Sequence, residues 1–116
     1  MRSTSKIRLD SALLAAFVTM AVSPPVLAMD AEAAQMLARQ NNCFKCHSVD
    51  KKKDGPPYRE VAAKYRGRAD AEAKLYRHVT AGEKVKFPDG TEDNHKIIQT
   101  KDVAEIKNLI GWILSL

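Results

Sequence analysis

The residues of this chain with the clearest chemistry are two cysteines and a histidine in the segment Cys43-Phe44-Lys45-Cys46-His47. Two thiols separated by two residues and followed at once by an imidazole form the pattern to which haem c is attached. Each sulfur forms a thioether with one vinyl group, and the imidazole binds the iron. The motif therefore predicts one covalently bound haem, held by Cys43, Cys46 and His47, which would also supply apolar surface to a small core.

Three other chemistries remain open for the same residues. A dithiol redox motif belongs on a βαβ scaffold, and no strand pattern of useful length is visible in the chain. A zinc site needs two further ligands, and the remaining histidines, His78 and His95, are too far apart in sequence for the usual ligand spacing. A plain disulfide between Cys43 and Cys46 is the third alternative.

The first 28 residues have the three parts of a secretory signal. A basic start is followed by an apolar run over 12–22, by two prolines, and by Val26-Leu27-Ala28 as a cleavage site. A short buried helix or a membrane anchor is the alternative, but the run is shorter than the roughly 20 residues that span a bilayer. We therefore expect cleavage after Ala28, export to the periplasm and a mature domain over 29–116 that does not span the membrane.

The charge of the chain gives a modest indication of its partners. The 116 residues include 19 Lys+Arg and 14 Asp+Glu, a net charge of +5. Three of the basic groups and one acidic group lie in the predicted leader, so the mature domain carries +3. This charge does not indicate nucleic-acid binding, but it suits docking to acidic redox proteins. The lysines concerned are Lys45, Lys51, Lys52, Lys53, Lys84 and Lys86, which could equally form an ordinary solvated surface.

Apolar periodicity predicts four helices and one long connection. The helices are expected at about 31–41, 57–65 and 70–81, and from Asp102 to the end of the chain. Asp30 and Asp70 are the expected N-caps of the first and third helices, Gly82 ends the third, and Asp102 and Glu105 resemble a capping box. Segment 83–101 shows no period, and a loop of that length in a small domain is usually functional.

Three sequence segments together resemble the small bacterial class I cytochromes c over most of residues 30–116. They are the attachment motif, Gly55-Pro56-Pro57-Tyr58 with the Val61–Tyr65 helix that follows, and the closing Gly111–Leu116. The resemblance implies an all-α cytochrome c fold, with about four helices around one haem and the first and last helices crossing. It also implies that the Pro56 carbonyl accepts a hydrogen bond from His47. The implied role is electron transfer, not enzymatic catalysis, and we expect a monomer.

The sequence departs from this family at the second iron ligand. The family uses a Met in the loop before the last helix, whereas all four Met of this chain, the last being Met36, precede Cys43. His95 lies seven residues before Asp102, close to the place of that Met, and we predict His47/His95 ligation. Asn94, Lys84, Lys86, Lys96 or an open site are the alternatives, with His78 a weaker candidate. A second imidazole in place of a thioether lowers the reduction potential.

The sequence thus predicts a periplasmic monohaem carrier of single electrons. The alternative is a gas-binding or sensing haem protein, for CO, NO or O2, in which the sixth ligand detaches. Gly82 and Gly90 could act as hinges that let His95 leave. A peroxidase-like enzyme ranks last, because no second catalytic constellation is visible.

Overall fold

The computed structural model describes residues 20–23 and 28–116. Most of the predicted leader, residues 1–28, lies outside the described residues. The elements in chain order are α1 (Ala31–Gln40), a short 3₁₀ turn (Cys43–Lys45), α2 (Tyr58–Tyr65), α3 (Ala71–Ala81), β1 (Lys84–Lys86), β2 (Glu92–Asn94) and α4 (Val103–Leu114). The four predicted helices are confirmed.

Side-chain caps define the starts of the first and last helices. The Asp30 carboxylate accepts a hydrogen bond from the Ala33 amide at 3.0 Å, and Asp102 accepts one from Ala104 at 2.8 Å. The expected capping box is only half formed. Glu105 accepts a hydrogen bond from the Thr100 hydroxyl at 2.8 Å, and that hydroxyl accepts the Asp102 amide at 3.1 Å. Thr100 therefore takes the place of the direct return bond from Glu105.

Two other helix starts differ from the prediction. Helix α2 begins at Tyr58, because Pro57 is still extended, with φ −64° and ψ 147°. Asp70 occupies the N-cap position of α3 but makes no cap bond. Its carboxylate pairs instead with Arg68 at 3.0 Å and Lys74 at 3.4 Å. The chain adopts a left-handed conformation at Gly82, with φ +63°, and α3 ends there as predicted.

The core lies where α1 crosses α4, and α2 and α3 pack on the other sides of α4. Ala34 and Ala38 of α1 have no exposed surface, so the two backbones approach closely. The apolar stripe of α4 contributes the largest fully buried side chains, which are Ile106, Leu109 and Ile110. Val103, the first residue of that stripe, is 49% exposed because it lies at the end of the helix beyond the core.

The segment 83–101 was expected to be a loop without strands, and this expectation is wrong. Strands β1 and β2 pair antiparallel, with Val85 opposite Asp93. The turn between them has Pro88, Asp89 and Gly90 in sequence, and the Gly90 amide donates to Phe87 at 2.9 Å. Gly90 has φ +89°, which a glycine adopts readily. Three-residue strands are too short to show alternation of polar and apolar residues. Only the Pro-Asp-Gly sequence, which is typical of a turn, indicates the hairpin.

Among residues 20–23 and 28–116, no helix is long and apolar enough to cross a membrane.

Candidate functional site

One tight turn presents the three residues of the attachment motif. Asn42 adopts a left-handed conformation, with φ 56°, at the end of α1 and directs the chain into the 3₁₀ turn. The Cys43 carbonyl accepts hydrogen bonds from the amides of Cys46 at 3.2 Å and His47 at 2.9 Å. Both thiols are free and half-buried. The local fold therefore holds two thiols and one imidazole together without a disulfide.

Burial raises the pKa of the Cys43 thiol. A hydrogen bond with Tyr58 lowers the pKa, but its effect is smaller than that of burial. The protonated thiol is then the dominant form at neutral pH. Reactive dithiol centres need the opposite shift, because the thiolate is the nucleophile. The environment of Cys43 therefore does not favour the dithiol redox alternative.

The imidazole of His47 is held on three sides. Its Nδ1–H donates to the Pro56 carbonyl at 2.8 Å, which is the bond that the resemblance implied. The Tyr58 ring stacks on it at 5.1 Å between centroids and 17° between planes. The Gly55 backbone lies so close that an added Cβ would stand 2.5 Å from Cε1. Because a carbonyl only accepts, the neutral ring carries its proton on Nδ1 and its lone pair on Nε2.

The hairpin positions His95 directly after β2. The His95 amide donates to the Glu83 carbonyl at 2.8 Å, so the pairing continues one step past Lys84 and Asn94. The Nδ1–H of its ring donates to the Lys96 carbonyl at 2.9 Å. As in His47, Nε2 is then left with the lone pair. His95 is half-buried, whereas the alternative donors Asn94, Lys84, Lys86 and Lys96 are all exposed.

The structure brings His47 and His95 to 6.1 Å between ring centroids, at an interplanar angle of 50°. Two imidazoles bound on opposite sides of one metal, through bonds of about 2 Å each, place their centroids about 6 Å apart. The separation, together with two rings that both hold Nδ1 in a backbone hydrogen bond, fits a metal between them. With Cys43 and Cys46 in the attachment spacing, the residues present fit a haem at this site.

Burial lowers the pKa of both imidazoles. For His47 the hydrogen bond to Pro56 opposes this effect. For His95 the nearby His78 lowers the pKa further, and the bond to Lys96 opposes it. A neutral imidazole is the form that binds metal, so both environments keep a lone pair available near neutral pH.

No methionine of the described residues lies in the hairpin or in the segment after it. Met29 lies against Gly111, and Met36, half-exposed on α1, lines a surface cavity between α1 and α4. Met29 and Met36 therefore lie beside the first and last helices and not in the hairpin.

Two contributors to the site were underrated by sequence reasoning. Tyr58 was named only as part of the Gly55–Tyr58 segment, with no predicted contact to His47, yet it stacks on His47 and is 95% buried. His78 of α3 was a weak candidate, yet its ring lies 4.1 Å from that of His95. The spacing of 78 and 95 gave no hint, because the hairpin between them brings them together.

One family model and three known proteins are similar to this chain. The family model described as Cytochrome c matches residues 31–116. Cytochrome c-551 of Allochromatium vinosum is 38% identical over 106 residues, which is 87% of this chain and 99% of that protein. Cytochrome c-552 of Nitrosomonas europaea is 35% identical over 98 residues, 84% of this chain and 92% of that protein. The crystal structure of the class 1 cytochrome MtoD of Sideroxydans lithotrophicus ES-1 is 66% identical, with a TM-score of 0.74, and covers 76% of this chain and 97% of that one.

Proposed function

This chain belongs to the cytochrome c family, and on that premise we propose that it is a periplasmic carrier of single electrons whose one iron is ligated by His47 and His95. The cofactor of the family is covalently attached haem c, and Cys43 and Cys46 have the spacing to hold it. The observation that carries the ligand assignment is the 6.1 Å separation of the two rings. Haem supplies a one-electron couple when bound.

The anchoring of the distal segment supports a carrier over a sensor. His95 is bonded through its amide to Glu83 at 2.8 Å, and three residues later the Ile98 amide donates to the Val79 carbonyl, also at 2.8 Å. The Gln99 amide donates to the Asn41 side chain at 2.9 Å. A segment held by three hydrogen bonds would keep its imidazole in place, so His47 and His95 would both bind the iron and leave no position for a small ligand.

The reduction potential of the haem tests the proposed ligation by His47 and His95. We expect His95→Met to raise the midpoint potential, because a thioether stabilises ferrous iron relative to an imidazole, by part of the roughly 0.8 V that axial ligands span. Lys96→Met is the matched control, since it places the same thioether one residue further on an exposed side chain. The two potentials are measured by spectroscopic redox titration. A wild-type potential in the range typical of Met-ligated relatives, or a rise in the Lys96 variant only, would contradict the assignment.

Carbon monoxide separates the carrier from a gas-binding protein. We expect the visible spectrum of the reduced protein to stay unchanged under CO, because both axial positions are occupied. Prompt formation of a CO complex by the wild-type protein would favour the sensing alternative.

Export and attachment leave a signature in the mass. Expressed with its leader in a bacterium that matures cytochromes c, the protein is expected in the periplasm with the mass of residues 29–116 plus one haem. A colourless product with the mass of the bare polypeptide would overturn both the attachment and the function.

Exposed lysines near the attachment turn support an acidic redox partner. Lys45, Lys51 and Lys52 are exposed, while Lys53 donates to the Phe44 carbonyl at 2.6 Å, which places its charge beside the attachment motif. Attraction between exposed charges is screened over about 8 Å at physiological salt. Electron exchange with an acidic protein should therefore slow several-fold between low and high salt, whereas exchange with an uncharged small reductant should not. Equal salt dependence for both would count against the lysine face.

A further inference from the structure

His78 lies beside the proposed sixth ligand, and the geometry points to a second role on that side of the site. We propose that His78 is a reserve ligand, which binds the metal whenever His95 leaves it. The proposal rests on the proposed His47/His95 ligation and deepens it. It predicts that, when the distal segment opens, another molecule must compete with His78 for the position that His95 has left.

The two imidazoles are neighbours but belong to different elements. Their ring centroids are 4.1 Å apart, at an interplanar angle of 41°. His95 follows the hairpin, whereas His78 lies in the last turn of α3, which packs against α4. If the bond between the His95 amide and Glu83 opens, His95 can move with β2 while the backbone of His78 stays in its helix. The vacated position is then bordered by His78.

The Nε2 atom of His78 is available to bind a metal. Its Nδ1 faces a Glu83 carboxylate oxygen at 3.5 Å, and the other oxygen of Glu83 accepts from Arg77 Nε at 2.8 Å. The partner on Nδ1 leaves Nε2 free, as in His47 and His95. The 3.5 Å contact is long for a hydrogen bond, so it restrains rotation of the ring only weakly.

The His78 ring is also less exposed than the other possible donors near His95. The His78 side chain is 33% exposed, whereas the other possible donors of this region, Asn94 and the lysines at 84, 86 and 96, are exposed. In the exchange, the coordinate bond to His95 Nε2 breaks and one to His78 Nε2 forms. No electron or proton is transferred, and the coordination number is restored.

Single and double substitutions test the proposal on the intact haem protein. We expect His95→Ala to keep a low-spin ferric spectrum with bis-nitrogen character but altered g-values, and to bind CO slowly when reduced. The double variant His78→Ala/His95→Ala should be high-spin and bind CO at least tenfold faster. The matched control Arg77→Ala/His95→Ala removes a neighbouring side chain of α3 but keeps the imidazole, and should behave like His95→Ala. Spin state is read by optical and electron paramagnetic resonance spectra.

Each other outcome contradicts a different statement. If His95→Ala is as high-spin as the double variant, His78 does not reach the metal, although the His95 ligation stands. If the double variant stays low-spin, another donor fills the position and the reserve role is wrong. If His95→Ala has the wild-type spectrum while His78→Ala alone becomes high-spin, His78 is the resident ligand, and the proposed His95 assignment falls as well. Should the alanine variants lose haem, His95→Gln with and without His78→Ala gives the same comparison.

Discussion

Three local contacts determine the orientation of the His47 ring. The ring is bonded to Pro56, stacked on Tyr58 and covered by the backbone of Gly55. Tyr58 in turn packs edge-to-face on Trp112 of α4, with 5.7 Å between centroids. The orientation of one imidazole is therefore set by a hydrogen bond, an aromatic contact and the lack of one side chain, and it is connected to the core through Tyr58.

Gly55→Ala should disturb the His47 imidazole more than its small size suggests. The new Cβ would stand 2.5 Å from Cε1 and 2.7 Å from Nδ1, so the ring must move and the bond to Pro56 weakens. Overpacking of this kind costs about 1–3 kcal/mol. We expect a lower free energy of unfolding in denaturant and partial loss of the low-spin spectrum.

Gly111→Ala is the matched control for that change, because its Cβ would meet only Met29 Cγ at 3.9 Å. Alanine is favoured over glycine in a helix by about 1 kcal/mol, so this variant should be as stable as the wild type or more so. A Gly55 variant with unchanged spectrum and stability would show that the loop accommodates the methyl group without moving His47.

At the scale of elements, the hairpin between α3 and α4 determines where His95 lies. Its pairing is only three residues long on each strand, and its turn is closed by Asp89. The Asp89 carboxylate accepts hydrogen bonds from the Thr91 amide at 2.9 Å and from the Thr91 hydroxyl at 2.6 Å. Because so small an element has little packing of its own, the hydrogen bonds of its turn contribute much of its stability.

Acid should loosen this turn. The hydrogen bonds from Thr91 lower the pKa of Asp89, so the bonds stabilise the turn above the pKa of a free aspartate, about 3.9, and this stabilisation is lost as pH falls through the lower folded value. Protection of the Thr91 amide in hydrogen exchange, corrected for the intrinsic rate, should decline in that range. Asp89→Asn keeps an acceptor oxygen without the charge and should remove the pH dependence. A decline that persists in the Asn variant would place the titrating group elsewhere.

The N-cap of α4 is the other element boundary with a measurable contribution. Asp102→Ala removes the acceptor for the Ala104 amide, and loss of such a cap costs about 1 kcal/mol, within a range of roughly 0.5–2. Asp70→Ala at the same position of α3 is the control, since Asp70 makes no cap bond and its ion pairs are exposed. We expect Asp70→Ala to lose less stability than Asp102→Ala, because exposed ion pairs contribute little. Equal losses in denaturant unfolding would contradict the capping argument.

Across the whole molecule, two asparagines connect segments that are distant in sequence. The Asn108 side chain accepts from the Asp30 amide and donates to the Asp30 carbonyl, both at 2.8 Å, which ties the start of α1 to α4. Asn41 donates to Leu37 at 2.9 Å and accepts from Gln99 at 2.9 Å, which ties the end of α1 to the segment after His95. Helix α1 is therefore linked at both ends to the C-terminal part of the chain.

Asn41→Ala should loosen the distal segment without touching either proposed ligand. The lost hydrogen bonds cost about 0.5–1.5 kcal/mol each, and the freed segment should let CO compete with His95 in the reduced protein, which stopped-flow spectroscopy detects. Asn41→Asp keeps the oxygen that accepts from Gln99 and should restore most of the wild-type behaviour. Gln40→Ala, at the exposed last residue of α1, is the neutral control. Equal CO rates in all three variants would show that the Asn41 tie does not hold His95 in place.

The sequence by itself was sufficient for features that depend on a few neighbouring residues. The attachment motif is five consecutive residues, and its chemistry follows from their types and order. The helices were predicted because each carries its own apolar period and its own end signals, such as Asp30, Gly82 and Asp102. The place of His95 before the last helix could be read from the same local spacing, and its role as a ligand stays a prediction.

Only the tertiary structure decided which side chains meet. The hairpin was missed because strands of three residues show no clear alternation of polar and apolar residues. Without the hairpin, nothing in the sequence indicates that residues 78 and 95 are close in space. The same fold brings His95 to 6.1 Å from His47, stacks Tyr58 on His47 and joins Asn41 to Gln99. These contacts depend on how helices and hairpin pack in three dimensions, which local spacing does not encode.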